Sequence, residues 1–434
     1  MKKTKLLFLL LLASLCLASC KGKQREEQKE TKNAELQTKE AAIKNLTDLE
    51  IVIEPSQFAA VTEDQSWSFE TDMNQNSVPI QGIAESTETT YINCSDILIA
   101  FSKEESCAKV LCDKVNCQHN YTSQTECEAN LEYQGLSANG LQYYDGNLYY
   151  TIKQGGIALC KVSSDGKKKM QAALISESST GALYTFPWLI HRGNVYFWNE
   201  GKGLYKVPLL NPEQRELIVK EHNELDTSYH KLKAYGSYLY FMLAGKGEKK
   251  SFFCRYNIES GQIEQFPEIE GILDDFIVRE NKIYYKIIGD TKIYQYDAVS
   301  EKKEIYFELE NGTYSFYADS DYIYLPRVNS EDSFHYLYDV SADVYTWEKE
   351  FVGTIPFEKS VSEGTGQIFY EETFRIIGTD SARIYYQKWV VDSTKPDTSV
   401  KEEKTINYIN KSEISEGGTD MKTALEDVPF ANIM

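Results

Sequence analysis

A short aromatic phrase returns along this chain at near-constant spacing, and no other feature restricts its fold as much. It reads DGNLYY at 145–150, RGNVYF at 192–197, YGSYLYF at 235–241, ENKIYY at 280–285, SDYIYL at 320–325 and DSARIYY at 380–386. The first tyrosine after the aliphatic residue falls at Tyr149, Tyr196, Tyr240, Tyr284, Tyr324 and Tyr385, in steps of 40–47 residues and a last step of 61. A second phrase trails each copy: ALCKV at 158–162, GLYKV at 203–207, FFCRY at 252–256 and KIYQY at 292–296, with YLYDV at 336–340 taking that place in the next unit. Both phrases alternate apolar and polar residues and are rich in aromatic and β-branched types, the pattern of half-buried strands. Turn residues such as Asp145-Gly146, Asp165-Gly166 and Ser260-Gly261 separate them. Two hairpins in about 44 residues, repeated, give the period of a β-propeller blade.

The expected fold is therefore all-β, a β-propeller. Residues 88–112 supply a weaker first unit, which makes seven four-stranded blades, with six or eight as alternatives. The repeats span about 85–415 of a domain at 51–434, and the long last step places an insertion or extra strand pair in 352–374. Tyrosines recurring on inner strands are expected to pack blade against blade rather than to form a cofactor box.

No Trp-Asp dipeptide closes the units, and neither a paired-glycine kelch signature nor an Asp-box is present. The double aromatic phrase resembles the TolB-like propellers of Firmicutes lipoproteins, over roughly residues 85–415. Many of those carry a Leu-Cys-x-Lys-x-x-Cys-x-His…Cys signature after the first blade. It is matched here by Leu111-Cys112-Asp113-Lys114-Val115-Asn116-Cys117-Gln118-His119 and then Cys127. Val115 stands where a proline is common, and Cys107 is additional. The resemblance implies a propeller with a Cys/His loop at 107–127; it carries no activity.

The first residues fit that family. Lys2, Lys3 and Lys5 precede an apolar run over 6–19, too short to span a bilayer as a helix but of signal-peptide length. The run ends in Leu17-Ala18-Ser19-Cys20, which resembles the lipobox of bacterial lipoproteins. In that family the leader, here 1–19, is removed and the cysteine, here Cys20, is acylated, which implies a lipid-anchored protein on the extracytoplasmic side of the cell membrane. Residues 21–50 hold seven basic and seven acidic side chains and little that could build a core, so a flexible or transiently helical tether is expected.

Net charge is −20, and the balanced tether contributes none of it. So anionic a domain is repelled by nucleic acid, whereas a protein, peptide or glycan partner stays open.

Four cysteines and a histidine crowd into 107–127. Cys112, Cys117, His119 and Cys127 form a Cys3His set for one structural zinc; in an extended Cys-x-His both side chains point the same way. An exported chain equally favours disulfides, and five cysteines including Cys94 could make two bridges. A reactive thiol beside Lys109 or Lys114 is the third reading. Cys160 and Cys254 take the place of Tyr205 and Tyr294 in sister units, two blades apart, and are expected as buried thiols.

Short catalytic motifs are absent: no His-Glu-x-x-His, no Gly-x-Ser-x-Gly, no phosphate loop. Asp274-Asp275 and Glu371-Glu372 could serve as acid and base, but in a chain with 66 acidic residues solvated surface pairs are the expectation. The function expected is non-enzymatic recognition, sensing or scaffolding. An extracellular hydrolase or lyase on glycan or peptide, and an envelope-assembly component, are the alternatives.

Overall fold

The computed structural model describes residues 82–425 apart from intervening segments, the longest being 118–126, 132–138, 177–186, 329–338, 357–369, 393–399 and 415–421. The leader, Cys20, the tether and His119 lie outside the described residues.

Seven antiparallel four-stranded blades follow one another along the chain. Blade 1 is Ile83–Glu85, Thr89–Cys94, Ile97–Ser102 and Cys107–Val110, from inner to outer strand. The inner strands of blades 2 to 7 are Asn139–Tyr144, Trp188–His191, Leu232–Tyr235, Leu273–Arg279, Tyr317–Ala318 and Tyr370–Thr379. Blade 4 has six segments because its first and fourth strands are each interrupted. Leu225–Asp226 and Leu232–Tyr235 share one neighbour; Ile263–Gln265 and Ile269–Glu270 share another. Among the described residues the backbone pairing between blades 6 and 7 is one bridge, Asp339 to Phe374.

Every periodic tyrosine sits on the second strand of its blade. In blades 2 to 5 it stands opposite the fourth residue of the trailing phrase: Tyr149 opposite Lys161, Tyr196 opposite Lys206, Tyr240 opposite Arg255, Tyr284 opposite Gln295. Blade 6 departs from the expected register. Its third strand is Asp339–Thr346, and Tyr324 faces Val344, so YLYDV lies too early to be the matching phrase. Of the stretch 352–374, the described residues belong to regular blade strands, and 357–369 lie outside the described residues. Phe351–Pro356 is the outer strand of blade 6, and Tyr370–Thr379 opens blade 7. Within the long last step lies the ten-residue strand Tyr370–Thr379, and the two strands of blade 7 that follow it run to ten and eleven residues.

The core is divided among the interfaces between blades. Tyr149 belongs to the cluster between blades 2 and 3, Tyr196 to that between 3 and 4, and Tyr240 to that between 4 and 5. Tyr284, Tyr324 and Tyr385 continue the series through 5–6, 6–7 and 7–1. The next residue along the chain faces backward: Tyr150 packs in the cluster joining blades 1 and 2, Phe241 between 3 and 4, Tyr285 between 4 and 5. Period-two alternation thus turns each dipeptide into a rivet for both neighbours of its blade. The tyrosines pack blade on blade, as expected.

Among the described residues no strand is exchanged between the first and last blades; the four strands of each are consecutive in sequence. Among those residues blade 7 meets blade 1 through side-chain contacts, and blades 1 and 2 also approach closely. A Cβ on Gly378 would stand 2.5 Å from Ile83 Cδ1, and one on Gly82 would stand 2.1 Å from the backbone nitrogen of Leu141.

Candidate metal centre and the joints between blades

The outer strand of blade 1 ends at Val110, and the chain immediately turns. Leu111 still donates to the carbonyl of Leu98 at 2.9 Å, and Cys112 donates to Val110 at 2.8 Å. Asn116, with φ +65°, lets the chain double back, and Cys117 donates to the carbonyl of Lys114 at 3.2 Å. Asparagine tolerates this left-handed conformation better than most residues. After the segment 118–126 the chain returns at Cys127, whose carbonyl accepts from Asn130 at 3.3 Å. The outgoing and returning arms are tied where the Asp113 amide donates to Glu128 Oε2 at 3.3 Å.

This path brings the Sγ atoms of Cys112, Cys117 and Cys127 within 4.8 Å of one another. Three sulfur ligands about 2.3 Å from a tetrahedral zinc stand about 3.8 Å apart, so a small contraction would let them share one ion. Cys107 is exposed and bonded to Glu105, outside this group. The side chain of Cys94, like His119, lies outside the described residues.

The three thiols differ in environment. Burial pushes Cys112 upward, but backbone amides of Lys114 and Glu128 and the neighbouring thiols donate to it and hold it below the usual thiol value. Burial pushes Cys127 up to about 12, with the nearby Cys112 and Cys117 adding to the rise. Such a set loses its protons together when a cation arrives, because the ion's charge outweighs both effects. Thiolate donors favour zinc and other thiophilic ions over magnesium, calcium or manganese.

Cys160 and Cys254 are buried on third strands, opposite Tyr150 and Phe241, as the repeat implies. Burial lifts the thiol of Cys160 to about 11 and that of Cys254 further.

Several of the other buried charges lie at joints between blades. Asp275, expected at a solvated surface, is instead buried on the inner strand of blade 5, and Lys233 Nζ from the inner strand of blade 4 stands 3.4 Å from its Oδ1. Burial works against the Asp275 carboxylate, but Lys233, Lys231 and the Phe276 amide hold it below the usual range. The side chains of Asp274, Glu371 and Glu372 lie outside the described set.

Ring closure uses Glu85, which accepts from the amide and hydroxyl of Ser381 at 3.0 and 2.7 Å and pairs with Lys103. Thr90 of blade 1 and Tyr385 of blade 7 both donate to Asp380 Oδ2, at 2.6 and 2.5 Å. Arg383 lies over the Phe101 ring at 4.5 Å and donates to the Lys103 carbonyl. The same device joins blades 6 and 7: Tyr324 donates to Asp319 at 2.8 Å, and Lys411 pairs with that carboxylate. Both aspartates open an Asp-Ser-x-x-Ile-Tyr stretch, 319–324 and 380–385.

No protein-family model matches the sequence, and no curated protein does. Solved structures share the fold. An oligogalacturonate lyase in complex with manganese is 9% identical, covering 57% of this chain and 74% of that one, with a TM-score of 0.43. An oligogalacturonate lyase from Vibrio parahaemolyticus is 11% identical, covering 65% and 75%, with a TM-score of 0.44. A prolyl endopeptidase structure is 12% identical, covering 82% of this chain but 51% of that one, with a TM-score of 0.50. At such identities the likeness is one of fold alone.

Proposed function

We propose that this chain is a lipid-anchored propeller of the extracytoplasmic membrane face that binds a protein, peptide or glycan partner without transforming it. Cys20 carries the lipid, residues 21–50 hold the ring clear of the bilayer, and the ring serves recognition, sensing or scaffolding. A structural zinc on Cys112, Cys117 and Cys127, with His119 as the fourth ligand, closes the Cys/His loop. The observation that carries the binding reading is the placement of buried charge. The carboxylates of Glu85, Asp275 and Asp380 are each engaged in contacts between neighbouring blades. Those groups build a rigid ring, the attribute of a platform.

Two measurements test it. Metabolic labelling with an alkyne-bearing fatty acid should mark the full chain in the membrane fraction, and Cys20→Ser should abolish both labelling and retention. The soluble 21–434 ring should then be passed over glycan and peptide arrays. Saturable binding with each ligand recovered unchanged by mass spectrometry is expected; a cleaved or eliminated product would overturn the non-enzymatic reading.

A further inference from the structure

We propose that metal at the three-cysteine cluster acts as a clasp that completes the edge of blade 1 and seals it to blade 2; this rests on the zinc reading above. The outer strand of blade 1, Cys107–Val110, pairs only with residues 99–102 of the third strand. The beginning of that strand is covered by the two arms that carry the cysteines. Leu98 accepts from Leu111 at 2.9 Å and donates to Ala129 at 2.8 Å, while Asp96 accepts from Leu131 at 2.6 Å. Ile97 and Asn130 form an antiparallel bridge. The cluster thus sits at the fork where the chain leaves the blade edge and returns to finish it.

What the returning arm covers is core. Ala129 and Leu131 are fully buried, and with Leu111 and Cys127 they belong to the hydrophobic cluster that spans blades 7, 1 and 2. The outgoing arm reaches blade 2: the Leu111 carbonyl would lie 2.8 Å from a Cβ on Gly166, and Lys167 pairs with Asp113 at 3.1 Å. The Lys167–Asp113 pair is exposed on both sides and contributes little alone. Ions held by residues from both arms would close the loop between Cys112 and Cys127 and remove the freedom of the return arm to leave. Without metal, the short arm Cys127–Leu131 keeps two backbone bonds to the blade edge and its own buried residues.

The test uses the 21–434 chain with Cys20→Ser, prepared with zinc and compared before and after removal of the ion by a chelator. Elemental and native mass spectrometry first establish about one zinc per chain; zinc-replete protein that carries none overturns the zinc reading itself. With zinc bound, amide exchange is followed in peptides covering 96–99 and 127–131, with Leu239–Met242 of blade 4 as the internal reference. The clasp predicts exchange at least tenfold faster in the first two after chelation and unchanged exchange in the reference. Equal protection with and without zinc would overturn the clasp while leaving the site standing. Cys117→Ser, which alters a partly exposed ligand outside the return arm, should give the chelated pattern even in added zinc. Zinc-like protection in that variant, with no metal bound, would also overturn the proposal.

Discussion

Lys411 Nζ stands 2.8 Å from Asp319 Oδ2, so the short helix that follows the third strand of blade 7 is fastened to the inner hairpin of blade 6. The other oxygen of Asp319 accepts from the amides of Asp321 and Tyr322, which fixes the carboxylate in place. Lys411→Ala should therefore lower stability by about 3–5 kcal/mol, the cost of leaving one member of a buried pair alone. Lys411→Met with Asp319→Asn should recover part of that loss. Urea unfolding monitored by tryptophan fluorescence reads both, through the midpoint at unchanged slope.

Alkali should open the ring. Burial pushes Tyr240 and Tyr296 up to about 12, and Tyr324 and Tyr385 beyond that. A folded value above the unfolded value of about 10 means that the unfolded chain releases the proton first. The stabilisation is complete below pH 10 and is lost as pH rises through the folded values. Burial lowers Lys411, but its aspartate partners win and raise it, so it adds the same sign. Lys233, held down by burial, opposes it as one group among many. Tyrosinate absorbance and unfolding should rise together, cooperatively, above pH 10. Gradual ionisation of the tyrosines in a ring that stays folded would contradict the packing described here.

The fold was legible because a propeller writes its geometry into the sequence at two periods. Alternation within a strand and recurrence near 44 residues both survive in Tyr149, Tyr196, Tyr240 and Tyr284. Legibility failed where the separation of paired residues changed, since Tyr284 faces Gln295 but Tyr324 faces Val344, well beyond the earlier YLYDV. It failed again for charge. Asp275 reads as one of many acids, and only the approach of Lys233 from another blade shows that it is buried. One local signal was available and unread. A polar residue in the trailing phrase recurs with a glutamate nine or ten residues on, and these prove to be cross-strand partners: Lys206 with Glu216, Arg255 with Glu264, Gln295 with Glu304. Three of the four expected metal ligands, Cys112, Cys117 and Cys127, are brought together by a turn at Asn116 that spacing alone does not encode.

Two glycines should respond differently to alanine. At Gly146 nothing lies within 4 Å of an added Cβ, and φ is +73°, so Gly146→Ala costs about 1–2 kcal/mol of backbone strain. At Gly82 the added carbon would meet the Leu141 backbone at 2.1 Å, where no side chain can rotate away. Gly82→Ala must push blade 1 from blade 2 and should prevent folding or cost several times more. Thermal midpoints of the two variants decide it; equal midpoints would mean that the two inner strands do not approach as described.

Thiol reactivity should separate the cysteines by position in the ring. Cys254 has no exposure and Cys160 almost none, and burial raises both thiols, so the reactive thiolate is scarce and unreachable. Cys107 is exposed, but its hydrogen bond to Glu105 at 3.4 Å raises its thiol too, because ionisation would set two negative groups side by side. In zinc-loaded protein at pH 8, iodoacetamide should modify Cys107 first and slowly, and Cys160 and Cys254 only after denaturation. Glu105→Gln removes the opposing charge and should speed alkylation of Cys107 severalfold without touching the buried pair. Peptide mapping reads all three sites in one experiment. Modification of Cys254 in the native protein would show that blade 4 opens between its second and third strands, where Phe241 faces it.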